Sequence, residues 1–189
     1  MKIMIKTILF CFLSFMVATW FINQNSDNRV LPPIVDTSGL TVTASIAIDK
    51  TSPPCLQMYY CIEKYAPEYD IPLDYAYGIA YCETRYEGPF DWDYNHAQGS
   101  SAGAVGPMQI MPQYAGSYID ERGWTRADLM NNIEMNVKAS MRMLRKLKNK
   151  HGDWLLVFGA YNTGRPLIND YARKVYNYKP KFKLNEESL

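Results

Sequence analysis

Helical periodicity of apolar residues is the feature that most restricts the fold of this chain. Ile133, Val137, Met141 and Leu144 recur at intervals of three or four residues, and Gly152 follows the last turn. Such spacing places apolar side chains on one face of a helix, and glycine commonly ends one. Similar segments begin near residues 53, 72, 112, 153 and 168, and no alternating run typical of a strand follows residue 52. The sequence therefore predicts a mainly α domain of about six helices around one core.

One predicted helix, over residues 71–88, carries a carboxylate on its apolar face, at a position where the periodicity predicts an apolar side chain. Glu83 lies one turn beyond Ile79 and the alanines beside it. Burial raises the pKa of a carboxyl group, so a Glu at this place is able to hold a proton near neutral pH and to act as a general acid. The alternative is a structural Glu paired with Arg85 or Arg122.

The first part of the chain differs in composition from the rest. Lys2 and Lys6 precede an apolar run that ends at Ile22, which is typical of an export signal. A cleaved signal peptide and an uncleaved signal anchor in the membrane both fit this pattern. Either one predicts an exported protein of the periplasm or cell envelope. The predicted organisation is a signal peptide or anchor at 1–22, a linker at 23–52, a domain at 53–178 and a polar tail at 179–189.

Charge restricts the partners of the exported part. The chain is nearly neutral at +1, but basic residues concentrate between positions 138 and 183. We interpret most of them as solvated helix faces, with attraction to an anionic wall polymer as the alternative. An exported chain without a nucleic-acid-binding motif predicts no nucleic-acid partner.

Cysteines and histidines predict neither a metal site nor a cofactor. Cys55 and Cys61 are six residues apart on a predicted helix, about 9 Å along its axis, which is too far for a disulfide. Cys82 is free to pair with either of them, and buried free thiols are the other alternative. His96 and His151 lie far from any cysteine pair at ligand spacing, so we expect no metal.

Four short segments together form a recognisable pattern. They are "ETR" at 83–85, "SSAGAVGPMQIMP" at 100–112, "GAYNTG" at 159–164 and "YARKV" at 171–175. In this order they resemble the catalytic domain of the lysozyme-like soluble lytic transglycosylases, which cleave the glycan strands of peptidoglycan. The resemblance covers about residues 53–178. It implies a lysozyme-like fold, peptidoglycan as the partner and no cofactor.

The resemblance also implies a mechanism with a single carboxyl group. Glu83 would act first as acid and then as base, activating the 6-hydroxyl of N-acetylmuramic acid so that a 1,6-anhydro ring closes. By motif position, Ser100 would hold the muramoyl group or the Glu. Tyr161 and Asn162 would approach Glu83 from the facing helix, and the Tyr161 hydroxyl would position the carboxyl or the product. The substrate-binding residues implied by the resemblance are Ser100, Gln109, Met111, Tyr161 and Asn162.

The sequence departs from the family pattern in three places. Thr84 stands where serine is usual, and it keeps the hydroxyl. Pro107 stands where leucine is commoner, and it removes one backbone N–H at the edge of the cleft. The interval between the Glu and the loop serine is also longer than usual. The extra segment contains Phe90, Trp92 and Tyr94, which would form either an aromatic lip on the cleft or a surface loop.

Two other functions compete with the transglycosylase reaction. A goose-type lysozyme-like muramidase shares the fold and the Glu but uses water, and a second carboxylate would favour it. A non-catalytic glycan-binding component of an envelope-spanning machine is the other alternative. The small size of the chain is similar to that of the specialised transglycosylases of secretion and conjugation systems and of phages, which would add assembly partners.

Overall fold

The computed structural model describes residues 48–182, which contain seven helices and no strand. Two isolated β-bridges, Gly99 with Val105 and Val105 with Ile110, fasten the loop between the second and third helices. The prediction of a mainly α fold is confirmed. The helices are α1 (Pro54–Glu68), α2 (Leu73–Thr84), α3 (Pro112–Ala115), α4 (Arg126–Asn131), α5 (Ile133–His151), α6 (Trp154–Thr163) and α7 (Asp170–Tyr176).

Helices α5 and α6 begin and end at residues whose chemistry accounts for the boundaries. The Asp153 carboxylate accepts a hydrogen bond from the Leu155 N–H at 2.7 Å and caps the start of α6. Gly152 and Gly164, with φ of 73° and 74°, end α5 and α6 in the left-handed half of backbone space that glycine enters without steric cost. All three boundaries agree with the sequence.

The sequence pattern of residues 127–152 predicts one long helix, which the structure divides in two. Asn132 has extended backbone angles, and its side chain accepts a hydrogen bond from the Met135 N–H at 3.0 Å. It thereby caps the start of α5, which provides a reason for α4 to end one residue earlier. The apolar pattern of the sequence runs on through this point, so it did not predict the break.

Helix α2 is shorter than predicted. It ends at Thr84 because Arg85 takes a left-handed conformation with φ of 62°, and its N–H donates to the Tyr81 carbonyl at 3.0 Å. Gly88, the predicted end, instead lies against the ring of Phe182 at a point where a Cβ would clash. Glu83 is consequently in the last turn of α2 and not in the middle of a longer helix.

The helices surround one apolar core. Helix α5 packs against α1, α4 and α6, while α2 packs against α1 and α7, and α6 packs against α7. Buried Met58, Ile62, Ile79, Leu144 and Phe158 are among the side chains that fill the interior. This arrangement brings the end of α2, where Glu83 lies, against α7.

The structure decides between the two alternatives for the cysteines, and the packed part of the domain reaches further than predicted. Cys55, Cys61 and Cys82 are all free thiols, so Cys82 does not pair. The packed part of the chain also continues past the predicted end at 178, because the Phe182 ring packs edge-on against Tyr77 at 4.9 Å between centroids.

The leader predicted at 1–22, most of the linker at 23–52 and the end of the tail lie outside the described residues. Among residues 48–182, no helix has both the length and the apolar character needed to cross a membrane.

The extra aromatic segment is a surface loop held at one point. The Tyr94 side chain is buried, its hydroxyl lies 2.9 Å from Thr84 Oγ1, and its ring packs edge-on against Tyr86. Phe90 and Trp92 are exposed by 57% and 62% and do not line the cleft described below. The alternative of a three-ring lip on the cleft is therefore wrong for Tyr94, and the geometry favours a surface loop for the other two.

Tyr94→Phe, which deletes only the buried hydroxyl, should lower the free energy of unfolding by about 1 kcal/mol, because the hydrogen bond between Tyr94 and Thr84 is lost. Tyr114→Phe is the matched control, since Tyr114 is 65% exposed, and it should change stability by less than about 0.5 kcal/mol. Urea unfolding followed by circular dichroism measures both. Equal effects would mean that the Tyr94–Thr84 bond does not fasten the loop.

Candidate active site

Glu83 is a partly buried carboxyl group at the contact between α2 and α7. The Tyr171 hydroxyl donates to Glu83 Oε1 at 2.5 Å. Burial raises the pKa of Glu83 from its ordinary value of 4.5 to about 7, although the hydrogen bond from Tyr171 acts in the opposite direction. Glu83 therefore keeps a substantial protonated fraction at neutral pH, as a general acid requires.

The alternative of a structural Glu–Arg pair has no support from the geometry. Within residues 48–182, Glu83 makes no ion pair with Arg85, Arg122 or any other cation. The guanidinium of Arg85 lies over the ring of Tyr81, 5.3 Å from its centroid. No cation of the described residues thus forms an ion pair with the carboxyl, and burial dominates its pKa.

Two tyrosines approach Glu83, and the one that binds it is not the one predicted. The Tyr161 hydroxyl donates to the Met108 carbonyl at 2.7 Å and lies 2.9 Å from Ser140 Oγ. Burial, together with the charge of Glu83, raises the pKa of Tyr161. Tyr161 therefore lies near the carboxyl but holds the loop at Met108, whereas Tyr171 makes the contact expected of Tyr161. The only signal for Tyr171 was its place at the start of "YARKV".

The loop that carries Ser100 is stabilised mainly by its own hydrogen bonds. Ser100 is exposed, and its Oγ accepts from the Ala104 N–H at 3.1 Å while its N–H donates to the Ala104 carbonyl at 2.9 Å. This hydroxyl therefore shapes the loop, and the described contacts do not bring it to Glu83. A role for Ser100 in holding the muramoyl group stays a prediction.

Gln109 holds the other end of the loop in an unusual conformation. Its φ is 49°, a left-handed value that is uncommon for a residue with a side chain. Its Nε2 donates to the carbonyls of Gln98 at 3.1 Å and Gly106 at 2.9 Å. The side chain thus compensates for part of the backbone strain by crosslinking the loop.

A cleft of about 730 Å³ lies between this loop, α5 and the end of α6. It contains four of the six residues predicted for the site. Asn162 is exposed at its edge, and its Oδ1 accepts from Asn169, the residue that caps α7. Tyr161 lies between the cleft and Glu83: it lines the cleft, and the charge of Glu83 contributes to its raised pKa. The predicted residues in the wall are Gln109, Met111, Tyr161 and Asn162, whereas Glu83 and Ser100 are not part of it.

Two buried polar side chains that sequence reasoning did not assign position the loop. Asn136 is fully buried on α5; its Oδ1 accepts from the Met108 N–H at 2.9 Å, and its Nδ2 donates to the carbonyls of Val105 at 3.0 Å and Leu129 at 2.8 Å. Thr84, next to Glu83, donates to the Pro107 carbonyl at 2.8 Å. The hydroxyl kept by Thr84 therefore ties the end of α2 to the cleft loop.

Tyr171→Phe should raise the pKa of Glu83 above its present value, because the lost hydrogen bond stabilises the charged form of the carboxyl. If protonated Glu83 is the active form, the alkaline limb of a pH profile of kcat/KM on purified peptidoglycan should move to higher pH. Tyr161→Phe is the matched control and should leave that limb in place, since Tyr161 does not bind the carboxyl. A limb that stays in place for Tyr171→Phe would contradict this arrangement.

Comparison with known proteins agrees with this geometry. The family model described as the transglycosylase SLT domain matches residues 60–183, a stretch that includes α2, the cleft loop, α6 and α7. No curated protein sequence matches the chain.

Proposed function

Because the chain belongs to the family of transglycosylase SLT domains, whose members are peptidoglycan lytic transglycosylases with a lysozyme-like helical fold, we propose that it performs this reaction. The proposed substrate bond is the β-1,4 bond between N-acetylmuramic acid and N-acetylglucosamine, and the product is 1,6-anhydro-N-acetylmuramic acid. The observation that carries the proposal is Glu83, partly buried, hydrogen-bonded to Tyr171 and with its pKa raised to about 7.

In the proposed reaction the Glu83 carboxyl gives its proton to the glycosidic oxygen as the bond from that oxygen to C1 of N-acetylmuramic acid breaks. N-acetylglucosamine leaves with a free 4-hydroxyl. The Glu83 carboxylate then accepts the proton of the 6-hydroxyl of the same muramic acid residue, and the 6-oxygen bonds to C1. The acid is regenerated and no water is consumed, so one carboxyl group is sufficient for both steps.

The distribution of carboxylates favours ring closure over hydrolysis. Glycosidases that use water as the nucleophile ordinarily carry a second Asp or Glu opposite the acid. Among the described residues that line the cleft, none is an Asp or a Glu. Three carboxylates follow Glu83 in sequence: Glu87 and Asp93 are exposed, Asp91 is half-buried, and none of the described hydrogen bonds joins any of them to Glu83. These observations support ring closure over the muramidase alternative.

Mass spectrometry of peptidoglycan digested with the purified protein tests the proposal. We expect glycan fragments that end in the anhydro form. Because no water is added, they should be lighter than reducing ends by the mass of one water, about 18 Da. Reducing ends would identify a muramidase. Intact glycan, with binding retained, would identify a non-catalytic glycan-binding component and contradict the proposal.

The proposed substrate is a polymer outside the cytoplasm, which agrees with the export signal predicted at 1–22. We propose that the protein acts in the periplasm or cell envelope, either released or anchored by that segment. Fractionation of cells, with antibody detection of the chain and its size, distinguishes the two. Partners from a secretion system or a phage assembly stay a prediction.

A further inference from the structure

A second cavity, of about 630 Å³, is separate from the cleft and has a cationic wall. Arg173, Lys174, Lys179 and Lys181 contribute to it. Lys179 forms an ion pair with Asp74. Within residues 48–182 the other three are in no ion pair. Their charges are thus available to a ligand.

The rest of the wall limits the kind of ligand. Tyr81 and Tyr178 lie 5.0 Å apart between ring centroids, tilted by 30°, and provide an apolar side. Glu87 and Asp170 add two carboxylates. Three cations that form no ion pair, against two anions, fit a ligand that carries several negative charges and also one positive charge, as a short acidic peptide with an amine does. A uniformly anionic polymer fits this mixed wall less well.

The cavity is lined by residues of both α2 and α7, the two helices that meet at Glu83. Lys174 lies three residues after Tyr171 on α7, and therefore on the same side of that helix and about 4.5 Å further along its axis. The Cys82 thiol, next to Glu83 on α2, has a pKa that is raised mainly by burial and is affected by the charges of both Lys174 and Glu83.

We propose that this cationic cavity binds the peptide stem of the muramic acid residue whose glycosidic bond is broken. The inference rests on the proposed function, because that reaction places C1 of muramic acid at Glu83. The stem is attached through the lactyl group on C3 of the same ring, so it begins a few bonds from C1 and therefore close to Glu83. Its free carboxylates pair with Arg173, Lys174 and Lys181, and the side-chain amine of its diamino acid pairs with Glu87 and Asp170.

Direct titration of the full-length protein with a free stem tetrapeptide tests the site by calorimetry at low salt. The double variant Arg173→Gln/Lys174→Gln should bind the peptide roughly five-fold more weakly, the effect of two exposed ion pairs. Added salt should weaken binding to the parent. The matched control is Arg122→Gln/Lys150→Gln, which removes the same charge from exposed positions that form no ion pair in the described part of the chain.

Several outcomes of this titration would overturn the proposal. They are equal weakening in the two double variants, no binding to the parent at millimolar peptide, and equal binding of a peptide whose carboxylates are amidated. Tighter binding of a glycerol phosphate polymer than of the peptide would assign the cavity to an anionic wall polymer instead, and would also overturn it.

Cleavage assays separate failure of this inference from failure of the proposed function. The parent should cleave stem-bearing glycan with a higher kcat/KM than glycan stripped of its stems by an amidase, and Arg173→Gln/Lys174→Gln should reduce that ratio several-fold. Equal rates on the two substrates for the parent would overturn the inference but leave the reaction intact. Cleavage of neither substrate would refute the proposed function, and the peptide titration would still decide whether the cavity binds an acidic peptide.

Discussion

Glu83→Gln should lower the rate of glycan cleavage by about 10²- to 10⁴-fold while the helical circular dichroism spectrum and the unfolding midpoint stay close to those of the parent. The amide fills nearly the same volume and still accepts a hydrogen bond from Tyr171, but it has no proton to give to the leaving oxygen. Release of soluble fragments from purified sacculi measures the rate. Glu121→Gln, the same chemical change at an exposed position, is the control.

The role of Glu83 as general acid also determines whether kcat/KM rises or falls with pH. Burial holds the pKa of Glu83 near 7, and only the protonated form is able to act as the acid. The value of kcat/KM should therefore fall as the pH rises through about 7, since the free enzyme loses its proton there. A variant Glu83→Gln with near-normal turnover, or a parent whose rate increases steadily above that pH, would remove Glu83 from the role of general acid.

The sequence predicted the part of the site that depends on local rules. Glu83 was found because a carboxylate stands one turn beyond Ile79 on an apolar stripe, and the boundaries of α6 at Asp153 and Gly164 follow from capping chemistry that acts within one helical turn. Asn136 carries the same kind of signal, because it lies one turn beyond Ile133 on the apolar face of α5.

The contacts that depend on packing between distant segments could not be predicted in this way. Tyr161 and Tyr171 both belong to motif segments, and which hydroxyl reaches Glu83 is decided by how α7 packs against α2. Tyr94 and Trp92 are two residues apart in one polar segment, yet only Tyr94 finds a buried partner, Thr84. Local composition carries no information about either choice, since each depends on a partner far away or across a loop.

Asn136→Ala should lower the free energy of unfolding by at least about 2 kcal/mol. The change leaves the Met108 N–H and the Leu129 carbonyl without the side-chain partner that each has now, whereas the Val105 carbonyl keeps the Ile110 N–H at 3.0 Å. Each unsatisfied buried group costs about 1–3 kcal/mol. Cleavage should also fall, because the loop that presents Gln109 is no longer tied to α5. Urea unfolding measures the stability, and Asn131→Ala, at an exposed position in α4, serves as the control.

Asn136→Asp separates the loss of the two donated hydrogen bonds from the loss of volume. The new oxygen would face the carbonyls of Val105 and Leu129, so burial and these acceptors would raise the pKa of the carboxyl above its unfolded value of about 3.9. The folded state then binds its proton more tightly than the unfolded state, and stability decreases as the pH rises. The loss of stability caused by Asn136→Asp, measured as the free energy of unfolding relative to the parent, should therefore be smaller at pH 5 than at pH 8. The loss caused by Asn136→Ala should be the same at both. A deficit of Asn136→Asp that does not change with pH would mean that the side chain does not point at these two carbonyls, and the role of Asn136 in holding the cleft loop would be wrong.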